Sequence, residues 1–381
     1  AAMRAEPRTD PRTHLARLWH IGVDAVRGDR CVAAALRSEK PGRPDSIIAV
    51  GKAAGVMASA AYAQYGPDIP GLVVTKYGHL DGIALPPAAQ TLEAAHPVPD
   101  ARSLAAGAAL IDRVSGMAAG SHLLFLVSGG ASALAEAPID GLTLADVTED
   151  NTRLLSQGLD IHAMNQHRIT RSKIKGGKLL SRFPGAQITV LAMSDVEGDD
   201  VGIIGSGLGL VPDSFGVKSS THIVASNAIA RAAIAKAAID AGLQVQANFE
   251  PLYADIATAA DRITAALTTP GLYIFGGEPT VVLPDAPGRG GRNQALALLL
   301  AQHLQNTPGV AALVAGTDGT DGPTGDAGGF ADHMLWGAGA ADALARADAG
   351  TYLAAHDALF TCGPTGTNVM DIALVLVEPT P

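Results

Sequence analysis

The feature that most narrows the folds open to this chain is a repeated unit. A short run of β-formers ends in Gly, Ser or Asp and gives way to an Ala-rich helical stretch. Ser46–Val50 runs into Gly51-Lys52, His122–Val127 into Ser128-Gly129-Gly130, and Gln187–Met193 into Ser194-Asp195. In the second half, residues 272–275 end at Gly276-Gly277-Glu278 and residues 311–315 at Gly316-Thr317-Asp318-Gly319. Strands alternating with helical stretches predict a doubly wound α/β fold. Such sheets bind ligands just beyond the strand ends, where these polar residues gather.

Composition agrees with that pattern. The chain is 48% hydrophobic but only 4% aromatic, so the core is built from Ala, Val, Leu and Ile, as suits helices packed on a parallel sheet. A length of 381 residues exceeds one ordinary core and predicts two domains. The pattern pauses at Pro212-Asp213-Ser214-Phe215-Gly216 before residues 223–226 begin another strand and a long helix. The expected domains are therefore residues 1–218 and 219–381.

A net charge of -10 argues against a nucleic-acid partner, which needs a broad basic face. The two cysteines, Cys31 and Cys362, lie far apart and fit a reducing compartment. The first ten residues carry charges where a secretory leader needs an apolar stretch. Apolar runs such as 296–301 and 311–315 are too short for a bilayer. The expected setting is cytoplasmic, with no membrane partner.

Several motifs carry chemistry, each with a plainer alternative. In Ser128-Gly129-Gly130-Ala131-Ser132 the glycines let backbone N–H groups approach phosphate oxygens, though ordinary βα turns look the same. Gly288-Arg289-Gly290-Gly291-Arg292-Asn293 precedes a helix, which puts Arg292 and its neighbouring amides at a positive helix end suited to a polyphosphate. The stretch from Asn165 through Arg168, Arg171, Lys173, Lys175 and Lys178 holds three of the eight lysines; it reads as an anion site or as a solvated helix end. Lys52 opens a helix after a strand, and by itself it reads as a surface lysine. The loops containing Asp195, Glu278, and Asp318 with Asp321 could supply Mg²⁺ ligands or a base, because hard oxygens on tight turns suit that ion. Asp-Gly turns without function are the alternative.

Absent patterns decide as well. The sequence has no G-x-x-x-x-G-K-[ST], no protein-kinase signature set, no G-x-S-x-G elbow and no His-x-x-x-His pair. Gly205-Ser-Gly207-Leu-Gly209 is a weak signal for a nicotinamide dinucleotide, because the third glycine of that fingerprint is misplaced and Pro212 lies just beyond.

Taken together, the blocks resemble the glycerate 2-kinase (MOFRL) family, whose members are often labelled hydroxypyruvate reductase. The matching blocks run along nearly the whole chain. They are Val50-Gly-Lys-Ala-Ala54, Thr75-Lys-Tyr-Gly-His79, His96-Pro-Val-Pro-Asp100, Val127-Ser-Gly-Gly-Ala-Ser-Ala133, Asn165 with Arg168 to Ser172, and Lys175-Gly-Gly177. They continue with Ser194-Asp-Val, Gly198-Asp-Asp200, Gly276-Gly-Glu, Gly290-Gly-Arg-Asn-Gln294, Gly316-Thr-Asp-Gly-Thr-Asp-Gly-Pro323 and Gly363-Pro-Thr-Gly-Thr-Asn-Val369. The chain departs from the family pattern at Leu208-Gly209, Ala295, Met370 and Ile169-Thr170-Arg171.

The resemblance implies a larger Rossmann-like N-terminal domain, a smaller α/β C-terminal (MOFRL) domain and an inter-domain cleft. It implies ATP-dependent phosphorylation of D-glycerate at the 2-hydroxyl, with ATP and Mg²⁺ as cofactors and a monomer or homodimer as the working form. Lys52, Asp195 and Arg292 are the expected catalytic residues. Phosphates are expected at Ser128, Gly129, Gly130, Ser132, Gly290, Gly291, Asn293 and Lys175. The acceptor acid is expected at Asn165, Arg168 and Lys173, and the metal at Asp195, Asp318 and Asp321. The competing readings are an NAD(P)-dependent hydroxypyruvate reductase and a catalytically silent nucleotide-binding regulator.

Overall fold

A computed structural model describes residues 10–213 and 216–379. The charged start of the chain and part of the pause at 212–216 thus lie outside the described residues.

The chain forms two units, one of them Arg27–Ser226. Its strands are β1 (Ser46–Val50), β2 (Gly71–Lys76), β3 (Ala89–Ala94), β4 (His122–Val127), β5 (Gln187–Met193) and β6 (Lys218–Ala225). They pair in the order β3-β2-β1-β4-β5-β6, and every pairing is parallel. Every residue of β1 and β4 is buried, as continuous apolar runs in a sheet covered on both faces require. Ile48, Val50, Leu123, Phe125 and Val127 belong to its core. The direction of winding reverses between β1 and β4, and the turns leaving those two strands therefore flank the crevice where doubly wound sheets bind ligands.

The other unit joins Asn227–Pro381 to the first helix, Pro11–Ala25. Its strands are β7 (Val245–Phe249), β8 (Gly271–Gly277), β9 (Val310–Gly316), β10 (Gly328–Asp332), β11 (Leu359–Phe360) and β12 (Asp371–Val377). They pair in the order β11-β10-β9-β12-β8-β7. Of these strands only β7 and β8 run parallel; β12 lies antiparallel between β8 and β9, and β10 returns antiparallel to β9. The βα repeat read in the second half therefore holds across the helix Arg292–His303 and fails after β9, where a glycine-rich turn sends the chain straight back.

The division differs from that expected at 218/219, for two physical reasons. β6 completes the first sheet by pairing with β5. The first helix buries Leu15, Leu18 and Trp19 in the second unit: Trp19 meets Phe360 edge-on at 5.0 Å, and Gly22 approaches Ile234 so closely that a Cβ would overlap it. Asp10 caps that helix by accepting from the N–H of Thr13 at 3.2 Å, and Pro11 starts it, a favourable pairing of cap and first-turn residue.

Candidate active site

The turns after β1 and β4 are bonded to each other. The N–H of Lys52 donates to the Gly129 carbonyl at 2.9 Å and that of Ser128 to the Val50 carbonyl at 3.0 Å. The Ser128 hydroxyl accepts from the N–H of Ala53 at 3.1 Å. Two of the glycines here are needed. Gly51 has φ +133, and a Cβ on it would overlap the Ser128 side chain, so only glycine fits. A Cβ on Gly129 would overlap the carboxylate of Asp195, which stands just past β5. Next in the chain, Gly130 packs against Lys52 Cγ and His96 Cδ2, at 3.0 and 3.1 Å from an added Cβ. Lys52, His96 and Asp195 thus converge over one turn.

Beside that turn opens a pocket of about 230 Å³, lined by His96, Gly130, Ser132, Asn165, Arg168, Asp195 and Ser206 among others. Electrostatics there are set by burial and by Lys52. Burial pushes the Asp195 carboxyl above its ordinary range, and the Lys52 charge opposes this. Burial, then Lys52, Lys76 and His79, push His96 down to about 4, so its imidazole is neutral at pH 7. Burial also lowers Arg168, against the attraction of Glu136; a guanidinium keeps its charge regardless. Arg168 Nε donates to Asn151 Oδ1 at 3.2 Å, and Asn165 Nδ2 donates to the Gly202 carbonyl at 3.1 Å.

The remaining basic residues divide. Lys173 is exposed and pairs with Asp140 at 2.7 Å. Lys175 is buried in an ion pair with Glu136, whose other oxygen accepts from Ser172 Oγ at 2.6 Å. Burial works against the Lys175 charge and Glu136 supports it. This lysine ties the turn down from inside and does not line the pocket.

In the other unit, Arg292 opens its helix behind Gly291. Its Nε donates to Asp371 at 2.6 Å, and Glu278 lies 3.2 Å from its guanidinium. Register explains the cluster: Asp371 starts β12 directly opposite Gly277, the last residue of β8, and Gly316, the last of β9. Burial works against the Arg292 charge, but Asp371 and Glu278 hold its pKa above the ordinary value. Burial pushes Asp371 up to about 6, against the pull of Arg292.

The helix start itself is occupied by the protein. Asp321 accepts from the N–H groups of Asn293 and Gln294 at 2.9 and 2.8 Å, and a Cβ on Gly291 would overlap it. Burial raises its carboxyl to about 6, with those two N–H groups opposing. Gly290, at φ +144, leaves room for the N–H of Gly350, 2.9 Å from an added Cβ. Asp318 accepts from the N–H and hydroxyl of Thr320 at 2.9 and 3.0 Å through one oxygen.

Sequence reasoning assigned no role to His96, Ser206, Glu136 or Asp371. His96 belongs to a family block just past the end of β3, and a polar residue beyond a strand end is itself a signal in this fold class. Nothing local marks Asp371, which reaches Arg292 through strand register alone.

Residues 14–240 match the model described as a domain of unknown function, DUF4147, and residues 271–371 match that of the MOFRL family. The chain belongs to this DUF4147–MOFRL family. Among its relatives is the D-glycerate 2-kinase of Thermotoga maritima, 34% identical over 403 aligned residues that cover 93% of this chain and 95% of that one. The glycerate 2-kinase of Pyrococcus horikoshii is 31% identical, covering 87% of each. The crystal structure of the Thermotoga maritima glycerate kinase superimposes with a TM-score of 0.86 and 31% identity, over 96% of this chain and 100% of that one.

The Gly205–Gly209 run is placed differently from a dinucleotide fingerprint. It lies beyond β5, whereas a dinucleotide fingerprint occupies the turn after the first strand and leads into a helix. Here the segment forms a short 3₁₀ turn with Gly205 and Ser206 in left-handed conformations, packed against Ala131 and Gly176.

Proposed function

We propose that the protein is a glycerate 2-kinase, transferring the γ-phosphoryl group of ATP to the 2-hydroxyl of D-glycerate. The observation that carries this is the convergence of Lys52 and Asp195 over the Gly129-Gly130 turn, beside a small pocket containing Arg168. The names of the relatives support the same reading. A pocket of about 230 Å³ suits a three-carbon acid and is small beside the roughly 300–1,000 Å³ usual for larger ligands.

Each residue has a task in this reading. Arg168 pairs with the acceptor's carboxylate, and Asn165, Ser132 and Ser206 offer hydrogen bonds to its hydroxyls. Asp195 takes the proton of the 2-hydroxyl as that oxygen bonds to the γ-phosphorus and the bond to the ADP oxygen breaks. Lys52 and the backbone of the Ser128 turn offset charge on the transferring group, which is most of what phosphoryl transfer asks of a protein. Arg292, held by Asp371 and Glu278, is the candidate for further charge stabilisation.

Among the described residues, no group of three or more His, Cys, Asp or Glu is placed to hold a metal by itself. Mg²⁺ commonly takes only one or two carboxylates and shares the nucleotide's phosphates. Asp318, with one carboxylate oxygen in its turn bonds, fits that pattern. Asp321, with both oxygens on helix N–H groups, fits it poorly. Bound there, Mg²⁺ would neutralise charge on the β- and γ-phosphates.

No helix of the described residues is long and apolar enough to cross a membrane. One assay tests the reading: ADP release with D-glycerate and Mg-ATP, run beside NADH oxidation with hydroxypyruvate. ³¹P NMR of the product from D- and L-glycerate should show 2-phosphoglycerate from the D acid. NADH consumption without ADP release would refute the proposal.

A further inference from the structure

At the opposite end of the same sheet lies a larger depression, of about 680 Å³. It is lined by Asp45 and Ser46 at the head of β1, Gln90 of β3, Ser121 just before β4, and Asp112 and Arg113 from the last turn of the helix Ala101–Ser115. Its size falls within the range of small-molecule sites. Doubly wound sheets place their substrates at the carboxyl ends of the strands, so this is not the substrate crevice.

Its chemistry is paired. Arg113 is half-buried and donates to Gln90 Oε1 at 3.3 Å; a guanidinium has five N–H donors, so most of the fork is available to a carboxylate. Negative charge faces the same depression from Asp112, at the helix end where the dipole already favours a cation, and from Asp45, one of whose oxygens accepts from the N–H of His122 at 2.8 Å. Ser46 is only 3% exposed, and its hydroxyl has no hydrogen-bond partner. Orphaned buried hydroxyls are uncommon. Pro70, Ala109 and Met117 add a modest apolar wall.

We propose that this depression is a second ligand site, for a small zwitterion: an α-amino acid whose carboxylate meets Arg113 and whose ammonium group meets Asp112 and Asp45. A lone carboxylate would leave the acidic side unpaired, and a lone amine would leave Arg113 unpaired. A ligand here would not compete directly for the substrate crevice, since β1 separates Ser46 from Gly51 by about 17 Å at the usual rise per residue. The same strand links the two ends, running from Ser46 into the turn that holds Lys52.

Titration calorimetry on the full chain tests this, with glycine, L-alanine and L-serine as zwitterions, propionate as carboxylate alone and ethanolamine as amine alone. Saturable binding is expected for at least one amino acid and for neither of the other two. Arg113→Met and Asp112→Asn should each weaken it roughly tenfold or more, as loss of a charge-assisted contact does, while Lys52→Ala should leave it unchanged. Asp112 is exposed, so its variant reports even if Arg113→Met folds poorly. The proposal falls if no amino acid saturates, if propionate binds as tightly, or if binding survives both substitutions at the depression.

Discussion

Two glycine-rich turns, each leading into a helix, look alike in sequence and are used differently. After β4, the room left by Gly129 and Gly130 is shared by Lys52, His96 and Asp195 at the edge of a pocket. Ahead of the helix Arg292–His303, the room left by Gly291 is filled by Asp321, which caps the helix from a distant loop. Glycine permits close approach, but what approaches is settled by tertiary partners. The first turn borders a pocket, whereas the helix N–H groups behind the second are satisfied by Asp321.

The largest effect that could break this contrast is expected at Lys52. Lys52→Ala should leave the protein folded and lower kcat for ADP release by about 10³ or more, the scale of a lost phosphoryl-stabilising cation. Near-wild-type turnover with an unchanged circular dichroism spectrum would return Lys52 to a surface role. The pH profile sharpens the same test. Burial destabilises the Asp195 anion, so the base form should be lost, as pH falls, at a higher pH than for a solvated aspartate. The acidic limb of kcat/KM should therefore lie above pH 3.8, and it should be absent from any residual activity of Asp195→Asn.

Arg292 comes next. Replacement by lysine keeps the charge but loses the planar fork that grips Asp371. Arg292→Lys should lower kcat by about 10²-fold, a fraction of what such arginines supply in phosphoryl transfer, and raise the KM for glycerate far less. Steady-state kinetics with varied glycerate separates the two parameters, and near-normal turnover would remove Arg292 from the mechanism.

The two turns can also be set directly against each other. Gly291→Ala pushes a methyl group into Asp321 and should cost about 1–3 kcal/mol of stability, as overpacking does, read as a lower denaturation midpoint. Gly129→Ala displaces Asp195 and should act mainly on kcat. If both variants lose stability alike while activity per folded molecule is kept, the turns do the same job and the contrast is gone.

Much of the first unit was legible from sequence. β1, β4 and β5 stand where the apolar runs predicted, because a parallel strand buried on both faces announces itself without its neighbours. The second unit was less legible. Its sheet is largely antiparallel because β12, from the end of the chain, inserts between β8 and β9, and no local pattern encodes that insertion. The same reason hid Asp371. Lys175 shows the converse: its place in a basic run suggested an anion site, but Glu136, 39 positions away, holds it inside. Charge patterning alone cannot tell a lysine offered to a ligand from one already paired.

The smallest expected effect concerns a third glycine-bearing turn, at Gly205-Ser206-Gly207. Ser206 sits in the left-handed region at φ 55, which costs a non-glycine residue roughly 1–2 kcal/mol. Its hydroxyl lies 2.8 Å from that of Ser132, and a bond of this kind contributes about 1 kcal/mol. Ser206→Gly removes both terms, so the denaturation midpoint should barely move. Ser206 also lines the pocket, so the KM for glycerate should rise several-fold with kcat nearly kept. A clear gain in stability with an unchanged KM would mean that this strained serine serves neither the acid nor its neighbour.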